Sequence, residues 1–471
     1  MTAPHQIDAD DAPEMLDADD AHEVIEEYDE DELMDSGDEE LADEEAVETT
    51  LRNDSVAAFD AFGGGVFAIA QHPTKPNLIA TGGSEGSADD MPGKGYVLRI
   101  DAPPTKNRKP EVLFEIAQHS DSIVALAFTL PHGEFLVSGG MEGRVAVHKC
   151  SENAQGGVSF AFHSDAKEAE EGADVNWIAP CPVPANSQIE PNTIAFGLQD
   201  GSVWIATIDP EAEVQLARPY TLRQQSCNAG AWSPDGKFLA TIYDDGSLDV
   251  WDVWGEAAAQ GLTNKNGQTV VSLDSSDKRF AVEGGLISVA IDPKSTFVAV
   301  GGDHGAIKIV SLPRLAAGSG GSRAGGSQGG KILADLRTQS DSIESLSFSP
   351  TKPLLAASSL DGSICVYDTS RSFTPKRHIT EAHETFSIPK VEFISGFGDG
   401  WLLTSCGTDG VVRRWNFHGA ADTPTGSMVK EWRGHSVQKD GVGGVLGFVQ
   451  SSTGQQIVTA GDDNHVYVFE T

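Results

Sequence analysis

The sequence predicts an all-β fold, an eight-bladed β-propeller preceded by a disordered acidic N-terminal tail. Three observations predict it. A unit of short apolar runs recurs along the chain, Asp-Gly turn signals sit inside the units, and the densest charge run is confined to the first 50 residues. Residues 51–471 also exceed the roughly 250–300 residues that one compact core holds, so several domains or one repeat array are required.

The clearest unit is "IESLSFSPTKPLLAASSLDGSICVYD", residues 343–368. A Pro-containing turn separates its first two apolar runs, and Asp361-Gly362 separates the second from the third. Asp-Gly between alternating runs predicts a hairpin, with a type I′ turn expected because both of its central residues need φ > 0. The same pattern starts at Ile123, Cys227 and Leu286, and weaker copies start at Val66, Val175, Lys390 and Val442. The spacing averages about 54 residues, somewhat above that of common propeller blades. Between units lies one more apolar stretch, such as "KILADLR" (331–337) or "MVKEWRGH" (428–435), so each unit holds four strands. The last copy ends beside the C-terminus without a fourth strand. "DSVAAFD" (54–60) can supply it, closing the ring and removing free sheet edges. The Gly/Ser-rich segment 316–330 reads as a flexible loop between the third and fourth strands of blade 5. No helix pattern or Lys-Ser/Thr pair follows it to make a phosphate cradle.

Residues 1–50 hold 22 Asp plus Glu and no Lys or Arg, densest in "EEYDEDELMDSGDEELADEE" (26–45). Like charges repel and too few apolar residues are present to pack, so this segment is expected to be a disordered tail. The remaining 421 residues carry 49 acids against 32 bases, so the ring is acidic too. Such a chain repels nucleic-acid phosphate and attracts basic proteins. Five scattered cysteines suggest neither a disulfide framework nor a metal site. With no signal segment or long apolar run, a soluble monomer is expected in the cytoplasm, with the nucleus as a second compartment, without membrane contact, cofactor or metal. No catalytic constellation can be assembled, so no enzyme is expected. His119, His163, His383 and His435 fall near blade entries, where a bond to a turn acid is the expected role.

The turns between second and third strands, and the links from one blade to the next, share one face of a propeller. The turns carry Glu85, Glu142, Asp200, Asp244, Asp245, Asp303, Asp361, Asp409, Asp462 and Asp463. Asp before Gly often serves only the turn. Glu142 is a poor turn former and calls for another reason, and the second acids of the pairs at 244–245 and 462–463 exceed what a turn needs. Aligning the inner strands places Phe67, Val124, Asn176, Asn228, Ile287, Glu344, Pro389 and Gly444 in one register position. Only Glu344 is charged there. It is expected near the mouth of the central channel, where a carboxylate without a partner is costly and a cationic guest would supply one. Trp177, beside Asn176, could stack on a guanidinium; packing inside its blade is the alternative. A basic, extended polypeptide on this face is the implied ligand.

The units resemble WD40 repeats, with Trp251-Asp252, the near-matches Tyr367-Asp368 and Trp415-Asn416, and Gly434-His435. More specifically, "SIESLSFSPTKPLLAASSLDGSICVYD" and "VTAGDDNHVYVFE", together with the acidic N-terminus, resemble the family of the angio-associated migratory cell protein. That family includes the fungal dedicated chaperone of ribosomal protein L10 (uL16). The resemblance implies capture of the basic N-terminal segment of that large-subunit protein on the acidic face, and its delivery to late pre-60S particles. Carried onto this sequence, it implies client contacts at Glu142, Glu344 and Asp463, with Asp462 and Trp177 beside them. Two other readings stay open: a chaperone of histones or other basic proteins, and a WD40 scaffold or ubiquitin-ligase substrate adaptor.

Overall fold

A computed structural model describes residues 52–86, 91–100, 109–168, 170, 172–185, 187–212, 214–216, 219–316, 326–396, 400–418, 428–437 and 443–471. The acidic tail and the centre of the 316–330 loop lie outside the described residues.

Each repeat folds because its apolar runs cannot be buried alone and are buried against the neighbouring blade. The result is eight four-stranded antiparallel sheets forming an eight-bladed β-propeller. Blades 1 to 7 are consecutive in sequence, with inner strands at Val66–Gln71, Ile123–Phe128, Val175–Pro180, Cys227–Trp232, Leu286–Ile291, Ile343–Phe348 and Lys390–Phe393. Blade 8 takes Val445–Gln450, Gln456–Gly461 and Val466–Glu470 from the C-terminal region and Ala57–Phe59 as its outermost strand. The joining register is Ala57↔Val468, Ala58↔Tyr467 and Phe59↔Val466. Asp54 reinforces it on the adjoining blade: its N–H donates to the Arg433 carbonyl at 2.7 Å, and its carboxylate accepts from the Arg433 N–H at 3.0 Å.

Burial falls from the second strand to the fourth. Phe135–Gly140, Phe238–Tyr243 and Leu354–Ser359 are buried at every residue, whereas the outer strand Ile332–Leu336 alternates between half-buried and exposed. Period-2 patterning is therefore clean only where one sheet edge meets water. The core is divided into eight apolar clusters, one at each blade-to-blade contact.

The Asp-Gly signals do mark hairpins, but with a different turn. In blade 6 the Gly362 N–H donates to the Ser359 carbonyl, and the Ser359 N–H to the Ser363 carbonyl. Only Gly362 has positive φ, at 78°, so the connection is a three-residue loop: a type I turn closed by a left-handed glycine. Asp361 chooses it, because its carboxylate accepts the Ser363 N–H at 2.9 Å.

Candidate functional site

The second-to-third-strand turns share a frame, and its two central positions do different work. The first central residue points its N–H back to the link that enters the blade: Asp303 N–H to Gly285, Leu360 N–H to Ser342 and Asp462 N–H to Gly444. The second is the structural acid in blades 2, 3, 4, 6, 7 and 8, whereas blade 5 has His304 there. In blade 7, Asp409 Oδ1 lies 2.9 Å from His383 Nδ1, whose Nε2 is 2.8 Å from Ser405 Oγ, and Trp415 donates to that same Oγ. Blade 8 repeats the lock with Asp463, His435 and Thr459 at 2.7 Å each. Blade 2 uses Glu142, His119 and Ser138, with His148 where blade 7 has Trp415.

This geometry explains Glu142. It fills the position that Asp holds elsewhere, with Oε1 2.6 Å from His119 Nδ1, and its side chain is 10 % exposed. Asp463 is likewise committed, to His435 and the Ser436 N–H, and is 6 % exposed. Asp245 accepts the Ser247 N–H. The surplus acids of the Asp-Asp pairs are thus the first members, Asp244 and Asp462, and not the second as the sequence suggested. Neither has a side-chain hydrogen bond or ion pair among the described residues. Of the four histidines expected in locks, His163 is the exception: it lies on the outer strand of blade 2, with Nε2 3.2 Å from the Ala212 carbonyl. The acid–His–Ser sets mimic the order of a nucleophilic triad, but Ser138, Ser405 and Thr459 are wholly buried, so no substrate can reach them.

Buried imidazoles and the lock acids fix a pH response. Burial holds the His148 imidazole at about 3 and that of His72 at about 4, both below the ordinary 6.5. The unfolded chain therefore binds more protons than the folded one in that range, and stability falls as pH drops below about 6.5. Asp409 and Asp463, which His383 and His435 hold low against the opposing effect of burial, add a second loss below about pH 4. Urea unfolding at pH 7, 5.5 and 4.5 is expected to show midpoints that decline monotonically.

Glu344 stands where expected. It is the bulged residue between Ile343 and Ser345, half-buried, and has no ion pair among the described residues. Burial first, then Asp341 and Asp303, push its carboxyl above the ordinary value. The other bulges fall at Phe67, Val124, Asn176, Asn228 and Ile287. In blade 8 the bulge is between Val445 and Gly447, at Leu446 rather than Gly444, because Gly443 and Gly444 are spent in the positive-φ link before the strand. Trp177 is 8 % exposed, donates to the Cys227 carbonyl at 3.1 Å and packs against Gly197 and Gly230. It is a blade-packing residue whose edge borders a channel cavity of about 270 Å³.

Sequence reasoning missed Asp121 and Asp341, the link acids beside these bulges. Their signal was the repeated "SDSI" at 120–123 and 340–343. Asp303, Asp341 and Glu344 form one acidic group at blades 5 and 6. Asp121 and Asp462 lie across blades 8, 1 and 2, in the wall of a top-face groove of about 730 Å³. Most bases elsewhere are spent on acids, such as Arg223 on Asp249 and Arg413 on Asp409 and Glu431. The face can thus offer cations several fixed carboxylates.

Comparison with known proteins places this face in context. The WD domain, G-beta repeat matches residues 219–252, 330–368 and 426–470. A crystal structure of Sqt1 from Chaetomium thermophilum, bound to the N-terminus of the ribosomal protein L10, is 54 % identical, with a TM-score of 0.79. The match covers 89 % of this chain and 100 % of that one. The chain belongs to the Sqt1 family. The ribosome assembly protein SQT1 of Saccharomyces cerevisiae is 26 % identical, over 91 % of this chain and 89 % of that protein. The human angio-associated migratory cell protein is also 26 % identical, over 88 % and 80 % respectively.

Proposed function

We propose that this chain is a ribosome-assembly chaperone that takes the basic N-terminal segment of ribosomal protein L10 on its acidic top face and hands it to late large-subunit precursors. The observation that carries the reading is the relative at 54 % identity that was crystallised with that segment. The geometry supports it through Glu344, Asp303, Asp341, Asp121 and Asp462, five top-face acids without an ion pair among the described residues. Glu142 and Asp463 serve it indirectly, by holding the turns that present Met141 and Asp462. The activity is binding and transfer, not covalent chemistry, and its place is the cytoplasm, with the nucleus as a second compartment.

A partner cation relieves what the free ring pays at Glu344, where three carboxylates crowd one half-buried site. Binding is tested with a labelled L10 N-terminal peptide on the full chain, against a histone-tail peptide of equal charge, across a salt titration. Preference for the L10 peptide that persists at moderate salt is expected. Equal affinity for both peptides at every salt concentration would refute a dedicated client.

A further inference from the structure

Phe67 is an anomaly on a face built for charge. It occupies the bulge of the first inner strand, and its side chain is 40 % exposed although the neighbouring Val66 and Ala68 are buried. A bulge re-aims a side chain, and here it turns the ring into the top-face groove and the rim of the channel cavity, both of which Phe67 lines. The ring does not stand alone. A Cβ on Gly65 would lie 2.7 Å from Asp462 Oδ1 and 2.8 and 2.9 Å from Cε1 and Cζ of Phe67. The carboxylate and the ring therefore stand side by side on the groove wall, brought together over Gly65, where a side chain would collide with both. Asp462 has no side-chain partner among the described residues, and across the groove stand Asp121 and Met141, the latter 42 % exposed.

From this juxtaposition we propose that Phe67 and Asp462 form a seat for an arginine side chain, which selects arginine over lysine in the bound polypeptide. The inference rests on the reading that the top face takes a basic segment, and it adds which cation one subsite demands. A guanidinium is planar and weakly hydrated. It stacks on an aromatic ring while its N–H edge donates to a carboxylate beside that ring. An ammonium is compact and strongly hydrated, and satisfies the carboxylate without using the ring. Met141 gives the aliphatic stem an apolar wall.

The test uses the full chain and two synthetic peptides of equal length and charge, one with arginine as its only cation and one with lysine. The wild-type protein is expected to prefer the arginine peptide by about three- to tenfold, the range of one partly desolvated cation–ring contact. Phe67→Leu keeps an apolar side chain and is expected to bring the two affinities within about twofold, by weakening the arginine peptide alone. Asp462→Asn should weaken both peptides. Unchanged thermal midpoints show that the variants are folded. Equal affinities on the wild-type protein, or a preference that survives Phe67→Leu, would overturn the seat while leaving the basic-client reading intact. Failure of both peptides to bind at low salt would overturn both.

Discussion

The double reversal Asp303→Lys with Glu344→Lys is expected to weaken capture of the L10 N-terminal peptide by at least about 100-fold, on the order of 3 kcal/mol. The size follows from the environment. Glu344 is half-buried and its charge is already opposed by burial and by Asp341 and Asp303, so a guest cation there escapes competition from water and meets several carboxylates at once. Lysines at both positions turn that attraction into repulsion inside a partly desolvated site. A reversal on the exposed rim, such as Glu111→Lys, should cost far less, because its interaction is screened by solvent and salt. Titration calorimetry of the two variants side by side separates the cases. Equal losses would mean that the whole surface field steers the peptide and that the Glu344 group has no special place.

The second large effect concerns stability. Asp409→Ala is expected to destabilise the ring by about 3–5 kcal/mol, read as a lower urea midpoint. Asp409 is 9 % exposed and joins His383 at 2.9 Å to Arg413 at 2.6 Å. Its loss leaves the wholly buried imidazole facing the Arg413 guanidinium at 2.7 Å with no carboxylate between them, and leaves Glu431 as the one carboxylate paired with Arg413 among the described residues. Asp462→Ala, at the first turn position of blade 8, removes no such partner and should stay within about 0.5 kcal/mol of the parent. The contrast tests the division of labour between the two turn positions.

Much of this was legible in the sequence because repeats report on themselves. Each of the four strongest copies begins its inner strand at the residue where the apolar run begins: Ile123, Cys227, Leu286 and Ile343. Position along a strand was legible too, since aligning the inner strands placed Glu344 in the register position where the structure has its bulge. What was not legible depended on partners distant in sequence. Glu142 looked free as a poor turn former, yet it meets His119, 23 residues earlier. Asp462 and Asp463 are chemically identical in one dimension, and only the reach of His435 decides which of them is committed. The register of blade 8 slipped by two residues because a glycine pair lies in the link rather than in the strand. Phe67 was in its correct register but carried no mark of exposure, because a lone aromatic in an inner strand reads as core.

The clasp of blade 8 has a consequence for how the molecule comes into being. Ala57–Phe59 is among the first ring segments to be synthesised, and its partner near Val468 is made about 410 residues later. At about 5–20 residues per second, some tens of seconds separate the two. Throughout that interval each finished blade can stack on its predecessor, but the circle stays open. The outer strand of blade 8 waits with its backbone unpaired while its three companions are still unmade. The last seam sewn is the first stitch laid down, so the ring gains its full cooperativity only once Val466–Glu470 has been made.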